Sequence, residues 1–477
     1  MRAFWFAVPF ALIACSEANN PVFTDGTLKV DNIEVNLNPY NAISFRVTFT
    51  ATNADSAQIM YAGTGDSSQT PWMKLVSGQN VMPVLGLLPT TFYRLTLVVR
   101  GPNGLVVTPK FQHITGQLPA SVVDAHIAYT GTPGPGYTLI SPIEGTTGNT
   151  FAMAFDTAGV LRWYREVDGY GSLDVQMQHN GHYTIGLAVE ADSQGRQIGP
   201  FIEVLPTGDS VGGYTAPPNY DTDGHEIVLT GNSETGEVAS FFAYDTARTV
   251  DLTSLGGPAS ASIFGHSMFR MTSSGTVQFS WDTWNHYTLA TDWTDAQTNQ
   301  FGGDFDHPNA LSLDADSNYI VSFRNMNAVA KVDRNTGAII WQLGGGSSTL
   351  TIVNDPFGFF SGQHFARRLP NGHILMYDDG IRRGVNSRAV EYAIDTVHST
   401  ATMVWQYLPT PALFTPIVGS AQRLQNGNTV VGFGTAKQID EVNANAQLLS
   451  RGMFVWKGAP AFYRAIRLPS LYQYETP

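Results

Sequence analysis

The chain has 477 residues, which is more than one small domain needs and favours two domains. It contains 47 glycines and 26 prolines, and only 14% of its residues are charged, a composition typical of all-β proteins with short strands and tight turns. The formal net charge of −13, together with the lack of any run of lysine or arginine, argues against nucleic acid as a partner.

The first residues have the features of a lipoprotein signal peptide, predicted over 1–15. An apolar run over 4–13 follows a basic second residue and is too short to span a bilayer. The run ends in LIAC, which resembles a bacterial lipobox, and Cys15 is the only cysteine of the chain. We therefore expect export, lipidation at Cys15 and membrane attachment through the lipid, on the periplasmic side of the outer membrane or at the cell surface. The alternative is an ordinary signal peptide with an incidental cysteine.

A small β-sandwich is predicted over 25–118, after a short polar tether over 16–24. Polar and apolar residues alternate in strands such as 43–49, as expected for a half-buried antiparallel sheet. The run LPTTFY over 88–93 resembles the turn into a late strand of fibronectin type III domains, with Tyr93 as a candidate tyrosine corner. We assign no chemistry to this part.

A long repeat occupies residues 119–477. Each copy combines an apolar strand, a turn with glycine or asparagine, a second apolar strand and an acidic turn before a further strand, often with tryptophan. About six copies fit, at intervals of about 41 to 57 residues, which is the interval of four-stranded propeller blades. The pattern predicts a six-bladed β-propeller. A β-solenoid is the competing architecture, but its repeats are shorter.

Four histidines open the same element of successive repeats: His225, His266, His307 and His364. Equivalent positions on the innermost strands of a propeller line its central channel, so we expect these imidazoles to converge from four adjacent blades. Arg324 lies one strand beyond His307 and is expected to face the same channel. Simple polar lining of a water-filled channel is the alternative.

The chemistry of this group favours an anion over a metal. Histidines suit zinc or copper, but an arginine among them would repel a dication. Arginine with histidines instead describes a pocket for a tetrahedral oxyanion such as sulfate or phosphate. We therefore predict neither a metal site nor a cofactor.

Long blocks of the repeat resemble the bacterial arylsulfate sulfotransferase family. The resemblance covers DFDHPN over 304–309, the segment from 322 to 345 that ends in IWQLGG, and the block over 363–392. It implies a six-bladed propeller with an N-terminal β-sandwich. It also implies an enzyme that moves a sulfuryl group from a phenolic sulfate ester to a phenol without the nucleotide donor PAPS, by a ping-pong reaction through a sulfohistidine.

The resemblance also implies roles for individual residues. His364 matches the nucleophile, whereas His307 and Arg324 match the histidine and arginine that bind the sulfuryl group. His225 is the better match for a further histidine and His266 is the second choice. Some members of the family carry a disulfide near the site, which a chain with one cysteine cannot form.

Two other functions stay open from the sequence. One is a non-catalytic lipoprotein propeller that acts as a binding or assembly module. The other is a propeller hydrolase or lyase that acts on a polysaccharide. The expected partners of the favoured transferase are a phenolic sulfate donor, a phenol acceptor and a membrane.

Overall fold

A computed structural model describes residues 27–102, 104–143, 149–168, 171–188, 190–191, 196–231, 236–294 and 303–472. The predicted signal peptide, Cys15 and the tether lie outside the described residues. Strands dominate the described part, which agrees with the glycine-rich and proline-rich composition and confirms the all-β prediction. No helix among the described residues is long and apolar enough to cross a membrane.

Nine strands occupy the first part of the chain and form two antiparallel sheets. They are β1 (Lys29–Asn38), β2 (Asn41–Thr52), β3 (Ser56–Gly63), β4 (Asp66–Gln69), β5 (Met73–Lys74), β6 (Gly78–Val84), β7 (Phe92–Gly101), β8 (Gly104–Val107) and β9 (Phe111–Ile114). One sheet has the order β1-β2-β6. The other has the order β4-β3-β7-β8, with β5 paired to β3 and β9 paired to β7.

The two sheets share one apolar core. Phe45 and Val47 of β2 belong to the same buried cluster as Ile59 of β3, because the alternating pattern of these strands turns every second side chain inwards. The hydroxyl of Tyr93 accepts a hydrogen bond of 2.9 Å from the backbone N–H of Leu88, which is the contact that a tyrosine corner predicts.

Thirty strands follow. They are β10 (His126–Gly131), β11 (Tyr137–Ile143), β12 (Asn149–Phe155), β13 (Leu161–Asp168), β14 (Ser172–Met177), β15 (Tyr183–Leu187), β16 (Glu190–Ala191), β17 (Gln197–Ile198), β18 (Phe201–Val204), β19 (Ser210–Tyr214), β20 (Asp221–Thr230), β21 (Val238–Tyr244), β22 (Arg248–Val250), β23 (Ala261–Ile263), β24 (His266–Thr272), β25 (Val277–Asp282), β26 (Pro308–Leu313), β27 (Tyr319–Phe323), β28 (Ala328–Val332), β29 (Ile339–Gly344), β30 (Thr351–Val353), β31 (His364–Arg368), β32 (Ile374–Asp378), β33 (Arg388–Asp395), β34 (Thr400–Tyr407), β35 (Ser420–Arg423), β36 (Thr429–Phe433), β37 (Gln438–Val442), β38 (Leu448–Val455) and β39 (Ala461–Leu468). A four-residue helix, α1 (Leu289–Asp292), and short 3-10 turns at Thr253–Leu255, Thr283–Asn285 and Gly434–Ala436 lie between them.

These strands form six main sheets, which we number 1 to 6. Their orders are β39-β11-β12-β13, β14-β15-β18-β19, β20-β21-β24-β25 (extended by β17 and β16 beside β20), β26-β27-β28-β29, β31-β32-β33-β34-β30 and β35-β36-β37-β38-β10. Strands β22 and β23 form a separate hairpin. The number of sheets equals the number of repeats predicted from the sequence.

The first strand named in each sheet is called its lead strand here. Each lead strand contacts the lead strand of the next sheet, and β35 of sheet 6 contacts β39 of sheet 1. Apolar cores fill the space between neighbouring sheets. For example, Ile320 and Val329 of sheet 4 share a buried cluster with Met376 and Val390 of sheet 5. This packing holds the lead strands next to one another.

Candidate active site

Irregular pairing of the lead strands decides which side chains come together. Five of the six lead strands have a bulge or another break in register, whereas β35 pairs without one. The breaks fall within 172–175, 222–227, 308–310, 364–367 and 462–465. Because a bulge takes residues out of strict alternation, neighbouring side chains can leave the strand in directions that a regular strand does not allow. The residues described below lie in these segments or next to them.

Three of the predicted histidines come together with a tyrosine. The rings of His225 and His307 meet edge to face, with centroids 4.7 Å apart. The ring of Tyr463, on the lead strand of sheet 1, lies 5.9 Å from that of His225 and 6.2 Å from that of His364. We call these four side chains the histidine cluster. The structure therefore joins residues from the lead strands, or the segments just before them, of sheets 1, 3, 4 and 5.

Aspartates hold two of these imidazoles through Nδ1. The Nδ1 atom of His225 forms a short contact with the carboxylate of Asp223, and Nδ1 of His307 forms one with Asp304. A ring nitrogen that faces a carboxylate carries the proton, so Nε2 is left for a ligand. Burial lowers the pKa of His307, and Asp304 counteracts this shift without cancelling it. His307 also has a φ of 49°, a strained backbone conformation of the kind that clusters at functional sites.

His266 does not share the position of the other three histidines, so this prediction was wrong. It opens β24, the third strand of sheet 3, while His225 lies on the lead strand of the same sheet. The hairpin β22–β23 is inserted between the second and third strands of this sheet. The insertion lengthens the connection before β24. As a result, the sequence distance from His225 to His266, both in sheet 3, equals the distance from His266 to His307, which precedes sheet 4.

His266 instead braces the aspartates of the cluster. Its Nδ1 lies 2.5 Å from Oδ1 of Asp306, and its Nε2 lies 3.6 Å from Oδ2 of Asp223. Oδ1 of Asp306 also accepts the backbone N–H of His307 at 2.9 Å. Burial acts to lower the pKa of His266, but Asp306 and its neighbouring carboxylates raise it to about 9. A protonated His266 thus links the carboxylates next to His225 and His307.

His364 is held in a different way. It is 2% exposed, and its Nδ1 donates a hydrogen bond of 2.9 Å to the carbonyl oxygen of Gly362. Because a carbonyl only accepts, the proton lies on Nδ1 and the lone pair lies on Nε2. Burial lowers the pKa of His364 well below its usual value, and Arg324 and His307 lower it further. The ring is therefore neutral, which is the form that a nucleophile needs.

Arg324 is partly exposed and acts electrostatically on His364 and His307. Its backbone N–H donates to the carbonyl of His307 at 3.0 Å. One terminal nitrogen donates to Oδ1 of Asn325 at 2.9 Å and the other to the carbonyl of Pro416 at 3.3 Å, in a partly exposed position. Neither of these two acceptors is a carboxylate, and the positive charge of Arg324 lowers the pKa values of His364 and His307.

A second group of buried side chains lies on the same lead strands. Arg464 forms ion pairs with Asp174 at 2.7 Å and with Glu226 at 3.0 Å, and Arg367 pairs closely with the other oxygen of Glu226. We call these four residues the ion-pair cluster. Burial acts to raise the pKa of Glu226, but Arg367 and Arg464 lower it. The ring of Phe365 lies 3.8 Å from the guanidinium carbon of Arg367 and 4.9 Å from that of Arg464.

The loop before His364 contains three phenylalanines, two of which have clear packing contacts. Phe360 is 2% exposed and packs in the core between sheets 4 and 5. Phe357 lies under the guanidinium groups of Arg383 and Arg388, at 4.5 and 4.7 Å. These contacts give both side chains a packing role.

One group of residues has donor atoms close enough to suit a cation. His266, Asp304 and Asp306 each offer an atom within 4.8 Å of the others. However, Asp304 and Asp306 already accept from His307 and His266, and a protonated imidazole has no lone pair to offer. A cation would have to displace these pairs, so we assign no metal to this group.

The sequence interpretation missed the acidic partners and the tyrosine. Asp223 stands two residues before His225 and Asp304 three residues before His307, and such short spacings are the signal that could have identified them. No comparable signal marks Asp379, which follows the strand paired with that of His364, or Tyr463, which comes from a distant part of the chain.

Comparisons with solved structures give only distant similarities. A protein of unknown function from Bacteroides caccae has 10% identity and a TM-score of 0.42, over 70% of this chain and 98% of that one. A streptogramin B lyase has 10% identity and a TM-score of 0.32, over 71% of this chain and 100% of that one. The Dos1 propeller has 7% identity and a TM-score of 0.33, over 78% of this chain and 91% of that one. Scores at this level support no functional conclusion.

The family comparison is decisive. No curated protein sequence matches the chain. The model of the arylsulfotransferase (ASST) family, in contrast, matches residues 134–455, which is more than half of the chain and includes the three histidines of the cluster and Arg324. This match confirms the resemblance seen in the sequence. The chain belongs to the arylsulfotransferase (ASST) family, and it is therefore a transferase of the PAPS-independent aryl-sulfate sulfotransferase type.

Proposed function

We propose that this chain moves a sulfuryl group from a phenolic sulfate ester to a phenol in two steps, through a sulfohistidine on His364. The observation that carries the proposal is the state of His364: buried, neutral, and with Nδ1 bonded to the carbonyl of Gly362. Such a ring presents an unprotonated Nε2 to a substrate. Splitting the transfer into two displacements means that donor and acceptor never have to bind together.

In the first step, Nε2 of His364 attacks sulfur while the bond from sulfur to the aryl oxygen breaks. The electron pair of that bond leaves with the phenolate. Arg324 donates hydrogen bonds from its guanidinium group to the sulfuryl oxygens. His307, whose Nδ1 is held by Asp304, presents its Nε2 to the same group. In the second step, the oxygen of the acceptor phenol attacks the same sulfur while the Nε2–S bond breaks and its electron pair returns to His364. The proton of the phenol passes to His307, so that both histidines are regenerated.

His307 also supplies a proton to the departing phenolate. Burial lowers the pKa of His307 in the resting site. A bound sulfate ester brings a negative charge that raises this pKa, so the ring gains its proton when the donor binds. General acid catalysis of this kind contributes about 10²–10⁴ in rate. His225, edge to face against His307, is the fourth member of the site in place of His266.

We also propose the finer architecture. The cycle of contacts among the six lead strands supports a closed six-bladed propeller over 119–477. The two sheets formed by β1 to β9, with their common core, support a fibronectin type III-like sandwich over 25–118.

Mass spectrometry tests the nucleophile. We expect purified protein that is mixed with a chromogenic aryl sulfate to carry a sulfuryl group on His364, and to transfer it when a phenol is added. In a His364→Ala variant, we expect both the adduct and the turnover to disappear, because no other buried neutral imidazole in the described site has this arrangement.

His373→Ala is the matched control. His373 lies nine residues further along, in the turn after the same strand, where its Nδ1 pairs with Glu391 at 2.7 Å. This variant should keep full activity. Full turnover in His364→Ala would refute the nucleophile assignment, and release of sulfate without transfer to the phenol would refute the transferase assignment.

We propose in addition that the protein is exported and anchored by lipid on Cys15. The support is the short apolar run that ends in a lipobox-like LIAC. Expression of a Cys15→Ser variant in a bacterial host tests this. We expect the native chain in the membrane fraction of the envelope, and the variant in the soluble fraction or uncleaved. Equal membrane association and equal mass of the two mature chains would contradict lipidation.

A further inference from the structure

Asp379 is a buried carboxyl next to His364. It follows β32, which pairs with β31 so that Tyr377 is opposite His364. This pairing brings Oδ2 of Asp379 to 3.1 Å from Nδ1 of His364. The side chain of Asp379 is 0% exposed. The two groups thus approach each other on the side of the ring that faces away from the proposed reaction.

Both oxygens of Asp379 lack a hydrogen-bond partner within the described residues. Other aspartates of the site are bonded: Asp304 accepts from His307, and Asp306 from His266. A buried polar group without a partner costs stability, and such groups are retained where they serve a function. The lack of a structural partner therefore points to a role toward His364.

Gly362 fixes the geometry between the two groups. It has a φ of +67°, and a Cβ at this position would come 2.2 Å from Cδ1 of Ile381 and 3.4 Å from Oδ2 of Asp379. A glycine is needed here because a side chain has neither the space nor the preferred backbone conformation. The N–H of His364 consequently faces two acceptors, the carbonyl of Gly362 and the carboxyl of Asp379.

We propose that Asp379 is a positioning residue that stabilises His364 when its ring becomes positively charged during sulfuryl transfer. This inference rests on the proposed function of His364. As the Nε2–S bond forms and the bond from sulfur to the aryl oxygen breaks, the ring acquires positive charge and Nδ1 keeps its proton. That N–H becomes a stronger donor, so its interaction with the carboxyl oxygen of Asp379 is stronger in the transition state than in the resting enzyme.

The electrostatics of the site agree with this role. Burial raises the pKa of Asp379 well above its usual value, and Arg324 only partly opposes the shift. The carboxyl therefore stays neutral to a higher pH than an exposed aspartate, and it does not attract a proton to Nε2 of the resting histidine. Its carbonyl oxygen remains available as an acceptor, which an asparagine in the same place would also offer.

Two substitutions separate this role from a structural one. We expect Asp379→Ala to lower kcat for aryl-sulfate turnover at least 10-fold with little change in KM, and Asp379→Asn to recover much of that loss. The melting temperature of both variants should stay equal or rise, because a buried unbonded carboxyl is removed. Asp440→Ala is the control: Asp440 is equally buried but accepts two bonds of 2.8 Å from Arg451, so its loss should lower the melting temperature.

A measurement that does not need sulfuryl transfer completes the test. Nε2 of a neutral histidine also attacks a carbonyl carbon of diethyl pyrocarbonate, and the ring gains positive charge as the N–C bond forms and ethyl carbonate leaves. Peptide mass spectrometry follows this reaction at His364. We expect this reaction to be slower in Asp379→Ala than in the native protein, and unchanged in Asp440→Ala. If the native protein transfers no sulfuryl group but this slowing is seen, the proposed function fails and the role of Asp379 stands.

Two results would overturn the inference. One is native kcat and native carbethoxylation rate in Asp379→Ala. The other is a loss of activity in Asp379→Ala that matches a loss of melting temperature in the same variant, while Asp379→Asn has both native stability and native activity. This pattern would mean that the side chain has a structural role.

Discussion

The histidine cluster and the ion-pair cluster share the lead strands of sheets 1, 3 and 5 but differ in how their charges are arranged. In the ion-pair cluster, Arg464 and Arg367 each face a carboxylate, and Glu226 is bonded through both oxygens. In the histidine cluster, His364 is kept neutral by burial and by Arg324, while Asp379 has no hydrogen-bond partner within the described chain. One group is electrostatically satisfied and the other is not.

The difference arises between neighbouring residues. His225 precedes Glu226, Tyr463 precedes Arg464, and each pair divides between the two clusters. Both pairs lie in bulged segments of their lead strands, where side chains no longer alternate strictly between the two faces. Phe365 has a φ of 53° and contacts both guanidinium groups of the ion-pair cluster from the position after His364. We infer that the paired cluster is the support on which the unsatisfied site is held.

Removing Arg464 should have the largest effect on stability. In an Arg464→Met variant, Asp174 loses its 2.7 Å partner and Glu226 loses one of two arginines, although all three side chains stay buried. Breaking a buried ion pair from one side costs about 3–5 kcal/mol of unfolding free energy. Denaturant unfolding measures it, with activity assayed under conditions where the variant is still folded.

Lys29→Met is the control for this prediction. Lys29 pairs with Asp31 at 2.7 Å, but its side chain is 58% exposed, so solvent screens the pair and its loss should have no measurable effect on unfolding. Equal stability of Arg464→Met and the native protein would show that the ion-pair cluster does not support the fold. The difference in charge pairing between the two clusters would then have no counterpart in the free energy of unfolding.

The sequence predicts the repeats better than the site. Alternating apolar strands and turn residues mark each copy, because a sheet buried on both faces has the same requirements wherever it occurs. Positions that depend on bulges are different. Asp379 and Tyr463 reach His364 from other strands of the chain, and no local pattern records where a strand leaves regular pairing.

His266 shows why equal spacing was misleading. Its distance from His225 in the sequence equals that from His266 to His307, yet it lies on a third strand and not on a lead strand. The inserted hairpin of β22 and β23 lengthens the connection between the second and third strands of sheet 3. Spacing alone therefore cannot separate a repeat from an insertion, whereas an aspartate shortly before the histidine distinguishes His225 and His307 from His266.

Replacing Arg324 should change catalysis at the histidine cluster, with a smaller effect on the free energy of unfolding than replacing Arg464. Within the described residues, the guanidinium of Arg324 donates to Asn325 and to the carbonyl of Pro416 in a partly exposed position, so Arg324→Gln should unfold like the native protein. It should lower kcat/KM by about 10²-fold, as expected when one charged donor to a transferring group is lost.

Because Arg324 lowers the pKa of His364, its removal raises that pKa. Activity requires the neutral ring and is lost as pH falls through this pKa, so the acid limb of the pH profile should move to higher pH.

Arg334→Gln is the matched control for Arg324, since Arg334 lies in the turn between β28 and β29 of the same sheet. It should change neither the rate nor the pH profile. A loss of activity in Arg324→Gln with an unmoved acid limb would mean that Arg324 binds the sulfuryl group but does not keep His364 neutral. In that case burial and the neighbouring histidines would account for the low pKa of His364, and the two clusters would differ in hydrogen bonding and not in the effect of an arginine charge.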